Sequence, residues 1–175
     1  MASSEARLSQ WLVLGEDQQH QGFIYHWLRG RGVPRGKIRL LPLPAGKGAG
    51  EQYVRTQYAQ QVADLRRRNY LALALVVVID ADLAPVKQRV DELDARSPRQ
   101  PGERIALVIP RRNIETWIRF LTAPPVDEET DYKPRNPDFG DTRQAAKALA
   151  ALSTPPADAP DSLRQFFVEA ARILP

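Results

Sequence analysis

The chain contains no cysteine, so disulfides, thiolate metal ligands and cysteine nucleophiles are excluded. Histidine is scarce as well, and two in 175 residues do not suit a histidine-rich zinc site. A metal site in this chain must be built mostly from oxygen, which points to Mg²⁺ or Mn²⁺. Long apolar runs are also missing. The longest, Leu71 to Ile79, is too short to cross a bilayer. The first residues carry Glu5 and Arg7 without an extended apolar stretch, unlike a signal peptide. These absences lead to the expectation of a cytoplasmic protein with no membrane contact.

What is present is ordinary in amount. Hydrophobic residues make up 43% and charged residues 26%, and 175 residues suit one domain with a proper core. Lys and Arg total 25 against 21 Asp and Glu, a net charge of +4. That mild basic excess favours a polyanionic partner, and it equally fits a solvated surface.

Apolar runs alternate with helical patterns. Trp11 to Leu14 reads as a buried strand ending at Gly15-Glu16-Asp17, and Gln18 to Arg29 as a helix stopped by Gly30 to Pro34. Lys37 to Leu43 reads as a second strand, short or near an edge because of Pro42 and Pro44. A glycine-rich loop, Ala45 to Gly50, then leads into a helix over Glu51 to Arg68. Leu71 to Ile79, apolar on both faces, has the composition of a central parallel strand and ends at Asp80-Ala81-Asp82. Pro85 opens a helix to about Arg96. Arg104 to Ile109 is a fourth strand, and Asn113 is placed to cap a helix through Ile114, Trp117, Ile118 and Leu121.

The order β-α-β-α-β-α-β-α, with connections long enough for crossovers, predicts a three-layer α/β sandwich around a parallel four-stranded sheet. Residues 1–122 form the expected metal-binding domain. Residues 123–175 are expected to pack on it as a proline-rich acidic segment, a helix over Asp141 to Leu152 capped by Asp141 or Thr142, and a helix over Asp161 to Leu174 capped by Asp161 or Ser162.

In an open parallel sheet, ligands bind at the carboxyl ends of the strands. Here that end collects acids. Glu16 and Asp17 follow the first strand, Asp80 and Asp82 the third, and Glu115 follows the fourth through Pro110 to Asn113. Residues two apart on a strand share a face, so Asp80 and Asp82 are expected to converge. Close carboxylates repel, and a divalent cation relieves the repulsion. Two cations at such a site can activate water and stabilise a leaving oxygen in phosphodiester hydrolysis. Each acid also has an ordinary use as a turn, cap or first-turn helix residue, and it is the shared placement that suggests a site.

These motifs resemble the Toprim domain, the metal-binding fold of topoisomerases, primases and old-type (overcoming-lysogenisation-defect) nucleases. That family has a Glu after its first strand and Asp-x-Asp after a later apolar strand. Its nuclease branch has a further acid after the next strand. Glu16, Asp80 with Asp82, and Glu115 occupy those places, and the likeness spans about Trp11 to Leu121. Asp17 stands where the family usually has glycine, and it can add a ligand. The segments Gly48 to Gln52 and Arg111 to Trp117 look similar to small stand-alone Toprim-like proteins of bacterial defence islands. The resemblance implies a Mg²⁺- or Mn²⁺-dependent nuclease acting on DNA or RNA, with an ATPase protein as a partner. No ATPase module lies in the chain, since Gly46-Lys47-Gly48 lacks the phosphate-loop spacing and its Ser/Thr.

Basic residues near the acids are candidates for gripping phosphate. Lys47, in the glycine-rich loop, is placed for catalysis and for nucleic-acid contact, and Arg111 and Arg112 precede Glu115. Glu51 is either an additional acid or a first-turn helix residue, and Arg66 to Arg68 favour a helix end. His20, close to Glu16, reads either as a surface histidine or as a group that orients water or phosphate. Trp27 and Trp117 fit apolar helix faces. Lys133 and Lys147 are candidates to fold back over the site. Rival readings are a haloacid-dehalogenase-type phosphatase, a glycosyltransferase and a non-catalytic nucleic-acid or partner-binding module. Against the phosphatase, Ala84 stands where that family expects Thr or Val.

Overall fold

In a computed structural model, residues 8–46, 48–69, 71–136 and 138–174 are described. Four strands, β1 (Gln10–Gly15), β2 (Ile38–Leu40), β3 (Leu73–Val78) and β4 (Ile105–Val108), form one parallel sheet in the order β2-β1-β3-β4. Helices α1 (Gln18–Gly30), α2 (Gly50–Arg67) and α3 (Val86–Arg96) make the crossovers. Helices α4 (Ile114–Thr122), α5 (Phe139–Ala150) and α6 (Asp161–Ala170) follow β4. The α/β architecture with a central parallel four-stranded sheet is the one the alternation of patterns predicts.

Right-handed crossovers fix the layers. From β1 the chain steps sideways to β2, then reverses across β1 to β3, so α1 lies on one face of the sheet and α2 and α3 on the other. Strand residues alternate accordingly. Trp11, Val13, Ala74, Val76, Val78, Ala106 and Val108 meet Phe23, Trp27, Trp117 and Phe166 on the α1 side. The opposite face sets Leu12, Leu14, Leu75, Val77, Ile105 and Leu107 against Val54, Tyr58, Val62 and Leu93. Trp27 and Trp117 are core residues, as their helix faces suggest. The indole of Trp117 donates to Ser162 Oγ at 2.9 Å, which fastens α4 to α6.

Both sheet edges are covered or short. β2 pairs over three residues only, and buried Gln21 reinforces it by donating to the Leu41 carbonyl at 2.7 Å. At the other edge, buried Glu169 of α6 accepts from the Leu107 N–H at 2.8 Å and from Arg99 at 2.7 Å. A backbone donor that faces away from β3 thus finds a charged acceptor.

Three local expectations are corrected. The cap of α5 is Asp138, which accepts from Gly140 N at 2.7 Å, rather than Asp141 or Thr142. Neither Asp161 nor Ser162 caps α6, whose preceding residue is Pro160; the N–H and hydroxyl of Ser162 donate instead to Glu128. Asn113 stands at the N-cap of α4, but its amide donates to Asp131 and makes no cap bond.

Candidate metal centre

The chain reverses direction in the sheet between β1 and β3, and such a switch point leaves a crevice at the strand ends where no helix crosses. Gly15 pairs with Val78 there, so Glu16 and Asp80 emerge side by side. Glu16 reaches across and accepts the Asp80 backbone N–H at 2.6 Å. On its other side, the backbone at Gly50, where α2 begins, lies against Glu16. A Cβ at Gly50 would sit 2.6 Å from the Glu16 carbonyl oxygen, so only glycine fits.

Asp17 caps α1, accepting from Gln19 N at 2.8 Å and His20 N at 3.0 Å. The same carboxylate oxygen lies 2.8 Å from His20 Nδ1. This bond fixes the ring and leaves Nε2 aimed at Asp80 Oδ1, 3.0 Å away. That contact has ion-pair distance but poor hydrogen-bond alignment, and both atoms are otherwise buried without a partner. His20 is only 3% exposed and is not a surface histidine. One carboxylate oxygen of Glu16, one of Asp80 and a ring nitrogen of His20 lie within 4.8 Å of one another.

The electrostatics of the cluster follow from burial. Desolvation pushes the Glu16 carboxyl up to about 7; the Asp80 and Asp82 charges add to the rise, and His20 opposes it. For His20, burial alone favours the neutral ring. The carboxylates of Asp80 and Asp17 overcome that and hold its pKa well above the ordinary value. Asp17 is held well below the ordinary carboxylate range, because its bonds to His20 and to backbone N–H groups outweigh its desolvation. The imidazole, pushed toward its protonated form, thus lies as a positive charge between the carboxyls of Asp17 and Asp80. Two carboxylates and an imidazole, with two buried atoms left without good hydrogen bonds, form a donor set that fits a divalent cation.

The other expected site residues are placed unequally. Asp82 and Glu115 are outside the close group. The strand ends at Val78, and Asp82 and Leu83 take left-handed backbone angles, φ 51° and 72°. The alternation of a pleated strand therefore does not carry Asp82 to the side of Asp80, as its spacing suggests. Asp82 is exposed, yet partial loss of water, then repulsion from Asp80 and Glu51, raises its carboxyl above the ordinary value. Glu115 is buried in the first turn of α4. Burial raises its pKa, its own backbone N–H lowers it, and the charges of Asp80, His20 and Lys133 also act on it. Glu51 is engaged by buried Arg89 at 2.7 Å.

Lys47 lies outside the described residues. Arg112 pairs with Asp131 at 3.4 Å, and Arg111 is 3.8 Å from Glu129. Lys133 comes close enough to influence Glu115, whereas Lys147, in the last turn of α5, acts on His26. Arg66 pairs with Glu103 and Arg67 with Asp64, which are structural uses.

His20 is the group that weighing residues one at a time undervalues. It sits on the stripe His20, Phe23, Ile24, Trp27, and three residues after a good cap, so helical periodicity places it facing inward.

No protein-family model matches the chain, and no curated protein or solved structure matches it. Among the described residues, no helix is long and apolar enough to cross a membrane.

Proposed function

We propose that this protein is a metal-dependent nuclease of Toprim-like type, hydrolysing phosphodiesters of DNA or RNA at the β1/β3 switch point. The observation that supports this reading best is the convergence of Glu16, Asp80 and His20 at the one end of the sheet where a parallel α/β fold leaves an open crevice. Glu16 and Asp80 would hold the cation, with His20 Nε2 in its unprotonated form as the third donor. The mixed oxygen and nitrogen donors suit Mn²⁺ better than Mg²⁺. When bound, the cation supplies charge stabilisation at the phosphoryl group and lowers the pKa of the attacking water.

The remaining roles fall to the chain itself. Asp17 orients His20 through Nδ1. Asp82 and Glu115 extend the acidic patch and position further cation or water. Arg111 and Arg112 grip phosphate beside it, and Lys47 is a candidate for the same contact on its place in the sequence alone. The setting is bacterial antiviral defence, with an ATPase as the protein partner. A non-catalytic binding module is the second reading, favoured by Asp82 and Glu115 lying outside the close group of Glu16, His20 and Asp80.

The test is degradation of plasmid DNA and of RNA with Mn²⁺, Mg²⁺ or chelator, by wild type, Asp80→Ala and Glu115→Ala. Cleavage should need metal and vanish in both variants, with the fold retained and nucleic-acid binding weakened less. Cleavage that persists in chelator or in Asp80→Ala refutes the mechanism. Binding of nucleic acid with no cleavage under any metal supports the binding module.

A further inference from the structure

The segment between α4 and α5 carries Asp127-Glu128-Glu129-Thr130-Asp131. It is a built loop. Asp127 accepts from Glu129 N at 2.8 Å, Thr130 N at 2.6 Å and Thr130 Oγ1 at 2.7 Å, while its own N–H donates to the Tyr132 hydroxyl at 3.1 Å and that hydroxyl donates back to the Asp127 carboxylate at 3.3 Å. Three acids then point out of this folded turn, each onto a donor elsewhere. Glu128 accepts from Ser162 N at 3.2 Å and from the Ser162 hydroxyl. Glu129 faces Arg111 at 3.8 Å. Asp131 accepts from Asn113 Nδ2 at 2.9 Å and pairs with Arg112 at 3.4 Å.

Two of these acids, Glu129 and Asp131, are paired with Arg111 and Arg112. Arg111 and Arg112 lie on the loop that joins β4 to α4, immediately before Asn113 and the buried Glu115. The Arg112 charge is felt at Asp82, and that of Lys133, two residues beyond Asp131, is felt at Glu115. The strap therefore lies against the loop that leads from β4 into Glu115. The anchoring is graded along it. Ser162, which receives Glu128, is buried, whereas the Arg111 and Arg112 pairs are half-exposed and loosely spaced. Such pairs are weak and screened by salt, so an external anion of higher charge density can displace them.

We propose that Arg111, Arg112 and Asn113 form a phosphate-binding subsite that the chain's own acidic strap, Glu129 to Asp131, fills in the free protein and that a phosphodiester backbone takes over on binding. The nucleic-acid part rests on the function proposed above. The occupancy of the subsite by the strap does not. Glu129 and Asp131 set two carboxylates on the two arginines, where phosphates would sit, while Glu128 keeps the strap tethered at Ser162 when the other two let go. The device makes the site selective for polyanions, since a single weak anion does not replace both carboxylates at once.

The test compares wild type, Glu129→Gln/Asp131→Asn, and the same pair combined with Arg111→Gln/Arg112→Gln. Two probes are titrated over a range of salt, a labelled short oligonucleotide and inorganic polyphosphate. Removing two weakly held carboxylates should tighten binding of both probes about three- to tenfold. The logarithmic salt dependence should steepen by about one to two for the freed cations. Adding the arginine substitutions should cancel both effects. In wild type, polyphosphate should also open the strap to protease between Asp127 and Lys133. A gain for polyphosphate without one for the oligonucleotide upholds the strap and removes the nucleic-acid reading. Equal affinity of wild type and the amide variant for both probes, no binding of either probe to any form, or unchanged protease protection with polyphosphate bound overturns the proposal.

Discussion

Replacing Glu16 with glutamine should stabilise the metal-free protein above neutral pH, although it removes a charged group from the centre of the site. Glu16 has an ordinary pKa of 4.5 and is pushed up to about 7 in the fold, chiefly by burial. Between those values the unfolded chain loses the proton that the folded chain keeps. Stability therefore falls as pH rises from 4.5 through 7 and levels off beyond. At about 1.4 kcal/mol per pH unit, the carboxyl opposes folding by about 3 kcal/mol at pH 8. Glutamine has the same shape, and its amide oxygen can still accept the Asp80 N–H that Glu16 accepts at 2.6 Å. Glu16→Gln should thus match wild type near pH 4.5 and exceed it by about 2–3 kcal/mol at pH 8, roughly 5–10 °C in Tm for a chain of this size. Adding Mn²⁺ should reverse the order, because only wild type keeps the ligand. Thermal melts across pH 4.5 to 8.5, with chelator and with Mn²⁺, decide the matter. A variant less stable than wild type at pH 8, or a difference that does not change with pH, would refute the reasoning.

Metal uptake should release protons, because His20 is protonated well above its usual range and Glu16 partly so at neutral pH. Titration calorimetry in buffers of different ionisation enthalpy should give more than one proton at pH 6.5 and fewer at higher pH, with apparent affinity rising as pH rises; heats that ignore the buffer contradict the donor set. Asp17→Asn keeps a side-chain cap on α1 but loses the charge that orients His20. Mn²⁺ affinity should drop about tenfold or more while stability moves by about 1 kcal/mol, and an unaltered Kd would make Asp17 a cap and nothing else. Gly50→Ala drives a methyl into the Glu16 carbonyl, at a cost of about 1–3 kcal/mol and with weaker metal binding. Urea melts that show no loss would mean that the start of α2 moves aside freely.

The sheet was legible because its strands announce themselves. Leu73 to Val78 is apolar on both faces, and such a strand belongs in the middle of a parallel sheet. Glu16 and Asp80 were legible for the same reason, since a strand's last residue fixes where its successor emerges. Asp82 was not, because its position depends on two left-handed residues beyond the ladder, which no periodicity encodes. The burial of His20 depends on its neighbours along the helix. Weighed alone it reads as surface, and set among Phe23, Ile24 and Trp27 it reads as interior. The partners of Arg111 and Arg112 come from a loop whose folding rests on Asp127, and contacts between separate loops leave no spacing to read.

The carboxylate of Glu169 on the outward N–H of Leu107 has a consequence for assembly. A strand offered by another chain finds this margin of the sheet already engaged by a side chain held in place by Arg99. Among the described residues, the opposite margin offers the three residues of β2, followed by Pro42 and Pro44, neither of which can donate to a ladder. Growth of the sheet by strand addition is thereby hindered at one side and offered little backbone at the other. Docking through helices and loops is the route such a sheet leaves to a companion protein.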